Sequence, residues 1–82
     1  DFRSQLQLSI ANLNKVIAEA EYKSSDITRL TVYTTSLDEL GQNFDIFQEW
    51  ITTNNMRIAV TVVEVSKLFE TTVVELEAIA AK

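Results

Sequence analysis

Two acidic residues near the C-terminus, Glu75 and Glu77, stand two positions apart in an otherwise apolar run, Val73-Val74-Glu75-Leu76-Glu77-Ala78-Ile79. In a strand that spacing puts both carboxylates on one face. One could then position or activate a water while the other supports it; the same spacing also suits two solvated charges lining a channel. Two arginines, Arg29 and Arg57, stand in or beside β-branched segments, and a guanidinium fork is well shaped to grip a carboxylate. Arg29 reads first as a surface arginine paired with an acidic side chain. The chain holds no histidine and no cysteine, which excludes a Ser-His-Asp arrangement, a disulfide and a zinc site. Its single glycine, Gly41, excludes a glycine-rich phosphate loop. The carboxylates are scattered rather than set at ligand spacing, so neither a metal nor a cofactor is expected. Phe44, Phe47 and Trp50 recur at helical spacing and read as core packing.

These groups must be positioned by a small set of elements. Leu6, Ile10, Leu13, Ile17 and Ala20 form one stripe of a 3.6-residue helix. Asp1 or Ser4 can cap its start, and the polar cluster Tyr22-Lys23-Ser24-Ser25-Asp26 should end it. Ile27 to Thr34, rich in β-branched and aromatic residues, reads as a strand. Ser36 and Glu39 form a capping box for a second helix whose buried stripe is Leu40, Phe44, Phe47 and Ile51, with Trp50 beside it. Asn54-Asn55 suit a left-handed stop. Arg57 to Val65 and Val73 to Ala81 are the second and third strands, expected to pair antiparallel as a long-looped hairpin. A right-handed crossover should set the first two strands parallel.

The order is α-β-α-β-β, an α+β layer with two helices packed on one face of a mixed sheet. Alternation places Val74, Leu76, Ala78 and Ala80 toward the helices, with Val73, Glu75, Glu77 and Ile79 opposite. Val60, Val62 and Glu64 share a side of the second strand. Neither side is polar enough for open solvent, so another subunit, or strands upstream, should cover the sheet.

Length and charge bound the rest. Eighty-two residues make one domain, 1–82, with a thin core. Hydrophobic residues are 46% of the chain and there is no proline, a composition of ordered domains. A net charge of −5 leaves no basic face for nucleic acid. The longest apolar run, Ile58 to Val63, is far too short to cross a bilayer. A soluble, cytoplasmic protein is expected. The chain opens on Asp1 rather than methionine, so residues upstream are expected too.

Particular stretches carry a resemblance. Asn12-Leu13-Asn14-Lys15-Val16-Ile17, Asp26-Ile27 leading into Thr31-Val32-Tyr33, Val63-Glu64-Val65-Ser66-Lys67-Leu68 and Val74-Glu75-Leu76-Glu77-Ala78-Ile79-Ala80 resemble the RidA/YjgF family, also called L-PSP endoribonucleases. The resemblance covers essentially the whole chain and the later part of a family member, with the opening β-hairpin and third strand absent. It implies a chorismate-mutase-like α+β subunit lacking its N-terminal strands, assembled as a homotrimer with small-molecule clefts between subunits. It implies hydrolysis of reactive imines or enamines such as 2-aminoacrylate, with an arginine holding the substrate carboxylate and a glutamate positioning water.

Position by position, the resemblance carries the glutamate to Glu75. The arginine's position is Val60, directly after Ala59; a cysteine found in some members corresponds to Val62, and an asparagine to Phe44. Arg57, three residues before Val60, should project to the opposite side. A charge-assisted carboxylate pair is worth roughly 1.5–3 kcal/mol, and valine supplies no donor. The expected function is therefore a trimeric, ligand-binding family member without the standard deaminase activity, its ligand a small molecule such as a carboxylate. The alternative is a deaminase that uses Arg57, Arg29 or an upstream residue instead. The endoribonuclease name gains no support from an acidic chain without a histidine for acid-base work on RNA.

Overall fold

A computed structural model describes residues 1–82. The first helix, α1 (Phe2–Glu19), starts where the Asp1 carboxylate accepts the Ser4 amide at 2.8 Å. It buries Phe2, Leu6, Ile10 and Ile17, so the expected stripe extends one turn further toward the N-terminus. Its end is a Schellman motif: Tyr22 N–H donates to Ile17 O at 2.8 Å and Glu21 N–H to Ala18 O at 3.0 Å. Glu21 occupies the left-handed position, φ 66°. A 3₁₀ turn, Ser24–Asp26, leads into β1 (Ile27–Thr34).

The second predicted helix is two helices, α2 (Leu37–Gln42) and α3 (Asp45–Thr53). Asn43 explains the break. Its side-chain amide donates to Glu39 O at 2.8 Å, and the Asn43 and Phe44 amides reach back only three residues, to Leu40 O and Gly41 O. An asparagine amide that takes the carbonyl four residues back displaces the backbone donor. Phe47 and Trp50 are the buried aromatics of α3, while Phe44 and Ile51 are half-buried. The α3 stop falls at Asn54-Asn55 as expected, with Asn55 at φ 53° and Met56 N–H donating to Ile51 O.

Strands β2 (Ala59–Glu64) and β3 (Val74–Ala80) do not form the expected hairpin. The sheet order is β2-β1-β3: β1 is central, parallel to β2 and antiparallel to β3. The physical reason is burial. Ile27, Leu30, Val32 and Thr34 of β1 are fully buried, whereas β2 contributes no buried residue. The strand with the most apolar surface to hide takes the middle, and the Val65–Val73 connector is long enough to carry β3 to its far side.

One irregularity shapes β1. Ile27 pairs with Ala80 and Arg29 with Ile79, so Thr28 is an extra residue, a β-bulge. The bulge lets Ile27 and Leu30 both enter the core while Thr28 and Arg29 both stay exposed. All helices lie over one face of the sheet, where a single core joins α1, α3 and β1. None of the helices is long and apolar enough to cross a membrane.

Candidate functional site

Strand register decides what each candidate residue can reach. Val60 pairs with Leu30 and Val62 with Val32, and paired residues point to the same side of a sheet. Leu30 and Val32 are core residues, so Val60 and Val62 project on the helix side. There they remain 37% and 36% exposed, because β2 is an outer strand. Glu64 shares that side, and its carboxylate accepts the Leu37 amide at 3.0 Å, tying the end of β2 to the start of α2. Phe44 lies at the α2–α3 junction, half-buried against the core, its ring 5.6 Å from that of Phe47. Arg57 is exposed and precedes β2.

Glu75 stands elsewhere. It pairs with Tyr33, and Glu77 pairs with Thr31, both on the face turned away from the helices. Both glutamates are exposed. Glu75 lines a cavity of about 380 Å³ with Ser9, Asn12, Leu13 and Val16 of α1 and with Val74 and Leu76. That cavity contains none of Val60, Val62, Phe44 or Arg57. Glu75 and Val60 thus occupy opposite faces and opposite outer strands of one subunit's sheet. Within one subunit, therefore, the sheet does not bring Glu75 together with Val60 and Val62.

Arg29 differs from expectation. Its guanidinium donates to Thr61 Oγ1 at 2.8 Å and makes no ion pair; the single ion pair of the chain joins Arg3 and Asp45 at 3.0 Å. That pair, which sequence reasoning missed, ties the start of α1 to the start of α3, with Arg3 also donating to Asn43 Oδ1 at 3.1 Å. The hydrogen bond from Arg3 holds the Asp45 carboxyl below its ordinary value, and the same bond raises the Arg3 guanidinium. Forty-two positions separate the partners, so spacing gave no signal of it. Both side chains are solvent-exposed, and the pair is a surface clamp of small energetic weight.

Chemically, the helix-side rim of β2 offers apolar contact and no donor at position 60. The open face offers two carboxylates and one guanidinium. Arg29, Glu75 and Glu77 share the open face, whereas Val60 and Val62 lie on the helix side.

Known proteins of the same kind place this geometry. The family model described as Endoribonuclease L-PSP matches residues 1–82. A RutC family protein of Pyrococcus abyssi is 29% identical over 82 residues, which are all of this chain and 63% of that protein. A RutC family protein of Buchnera aphidicola is 28% identical over 79 residues, 95% of this chain and 62% of its own length. The crystal structure of the Escherichia coli YjgF gene product superposes with a TM-score of 0.92 at 28% identity, over 100% of this chain and 65% of that one. The fold is the YjgF fold, and the chain spans just under two thirds of the length of the relatives it matches.

Proposed function

Because this chain belongs to the endoribonuclease L-PSP family, the group that holds YjgF and the RutC proteins, we propose that it acts as a cytoplasmic homotrimer. Small-molecule clefts lie between its subunits, and it lacks the standard imine deaminase activity. One observation carries the reading. Val60 and Val62 on the helix side of β2, and Glu75 on the open face of β3, are separated by the central strand and by the sheet itself. A cleft that uses both surfaces takes one from each of two subunits. No cavity of the single chain contains both, which is what a site completed by a neighbour requires.

In that cleft Glu75 positions a water and the β2 rim forms the wall against the ligand. Val60 occupies the place where the family resemblance puts the carboxylate-binding arginine. Orientation supplies much of the rate of such a hydrolysis, and a valine cannot orient an anion. The ligand is a small molecule, carboxylates included, held by shape and apolar contact; neither nucleic acid nor a membrane surface is a partner of so acidic a chain. Arg29 lies on the same face as Glu75, but its guanidinium is already engaged by Thr61 Oγ1 at 2.8 Å, and it does not take the place of the arginine that Val60 replaces. Arg57 precedes the strand and brings no donor into the row of Val60 and Val62.

The test is a hydrolysis assay with enzymatically generated 2-aminoacrylate, followed as ketoacid and ammonia release. Wild type should give little acceleration over buffer. Val60→Arg should raise the rate, and Glu75→Ala in that background should abolish the gain. Strong wild-type activity that is unchanged by Val60→Arg and lost in Arg57→Ala would overturn the reading and make Arg57 the carboxylate grip.

A further inference from the structure

Between α1 and α3 the helix layer leaves a cavity of about 320 Å³. None of Val60, Val62, Phe44, Arg57 or Glu75 lines it. Its volume is at the lower end of ligand pockets, which run from about 300 to 1,000 Å³. Ile10 and Ile46 supply apolar wall, while Arg3, Gln7 and Glu49 supply polar groups. Trp50 also lines it and is only 7% exposed. Phe47 packs beside the indole, with ring centroids 6.5 Å apart. The Trp50 Nε1–H is the one buried side-chain polar group of the chain without a hydrogen-bond partner. An indole nitrogen donates and cannot accept, and a buried donor left unpaired is destabilising. An occupant of the cavity that brings an acceptor relieves that penalty.

The free charge at this place is negative. The Arg3 guanidinium is engaged by Asp45 and Asn43. Glu49 stands near enough to act on Arg3 but forms no ion pair of its own. One guanidinium thus stands against two carboxylates, and Glu49 is the carboxylate left over. We propose that the cavity binds a small aliphatic α-amino amide, a cation with a carbonyl oxygen close to its ammonium group. The carbonyl oxygen accepts the Trp50 Nε1–H, the ammonium group pairs with Glu49, and the aliphatic side chain lies against Ile10 and Ile46. An anionic ligand is disfavoured, because it meets the surplus carboxylate with no free guanidinium to answer it. The site is separate from the clefts between subunits proposed above and does not depend on assembly.

The experiment is a titration of the isotope-labelled protein with leucinamide, read at the Trp50 indole N–H resonance. Trp50 is the only tryptophan of the 82 residues, and Trp50→Phe identifies its resonance by removing it. The pH is held about one unit below the usual α-amino pKa, so that the probe is a cation. Leucinamide should move the resonance downfield, as a donor gaining an acceptor does, and saturate below about 10 mM. Isocaproamide, which keeps the carbonyl and lacks the ammonium group, should bind at least about threefold more weakly. Glu49→Gln, at an exposed position, should weaken leucinamide by about the same factor and leave isocaproamide unchanged. Trp50→Phe keeps an aromatic ring and should weaken leucinamide about fivefold. That variant is followed at the amides of Gln7 and Thr53, which line the cavity, with circular dichroism to verify its fold. No saturable shift up to about 50 mM leucinamide would overturn the proposal. Equal affinity of leucinamide for wild type and Glu49→Gln, or for wild type and folded Trp50→Phe, would overturn it too.

Discussion

Glu21 holds a left-handed backbone, φ 66°, at the position after the α1 C-cap where glycine is the usual occupant. An L-residue with a side chain carries about 1 kcal/mol of strain there, and the Schellman hydrogen bonds to Ala18 and Ile17 hold it in place. Glu21→Gly should therefore stabilise the protein by about 1 kcal/mol, read as a higher urea midpoint at unchanged slope. An unchanged or lower midpoint would show that the Glu21 side chain contributes something the backbone geometry does not. Asn55 sits in the same conformation at the end of α3, but asparagine tolerates it. The doublet Asn54-Asn55 announced that stop in the sequence, while nothing about a glutamate announced the other.

At the scale of elements, capping and pairing were legible to different degrees. Ser36 Oγ accepts the Glu39 amide at 3.2 Å, as its position before an amphipathic stretch implied. The reciprocal half of the capping box is missing, because the Ser36 amide donates instead to the buried Thr34 hydroxyl at 3.1 Å. Ser36→Ala should cost about 1 kcal/mol. Glu39→Ala should cost clearly less, since no bond to its carboxylate is lost. Equal melting temperatures for wild type and Ser36→Ala would contradict the cap. The break at Asn43 was not legible, since the apolar stripe runs on through Phe44 and a stripe does not report which carbonyl each amide takes. The order β2-β1-β3 was hidden for a similar reason. Alternation reports which residues share a face, and hairpin pairing is a strong local signal only across short turns. The usable signal lay in β1, whose Ile27, Leu30, Val32 and Thr34 all had to be buried.

For the molecule as a whole, fold class and family were readable because they rest on patterns spread over the chain: helical stripes, alternating strands and the Val63–Ala80 ending. The candidate site was readable only in part. Which residue types stand at positions 60, 62 and 75 is a matter of sequence. Which of them face one another depends on strand order and, in the proposed trimer, on how subunits meet; the sheet puts the two halves on opposite sides. The exposed valines of β2 and Ile79 of β3 are apolar surface that a small domain with so thin a core gains by burying. Oligomerisation and cleft formation are in this account one event.

Subunit mixing tests that account most directly. One chain carries Val60→Arg with Glu75→Ala, and the other is wild type. Within either homotrimer every cleft lacks the arginine or the glutamate, so each alone should hydrolyse 2-aminoacrylate no faster than buffer. Unfolded together and refolded as mixed trimers, they should gain activity, because some clefts then receive arginine from one subunit and Glu75 from its neighbour. Mixed trimers as inactive as their parents, although Val60→Arg alone is active, would contradict the account and place both residues' chemistry within one subunit.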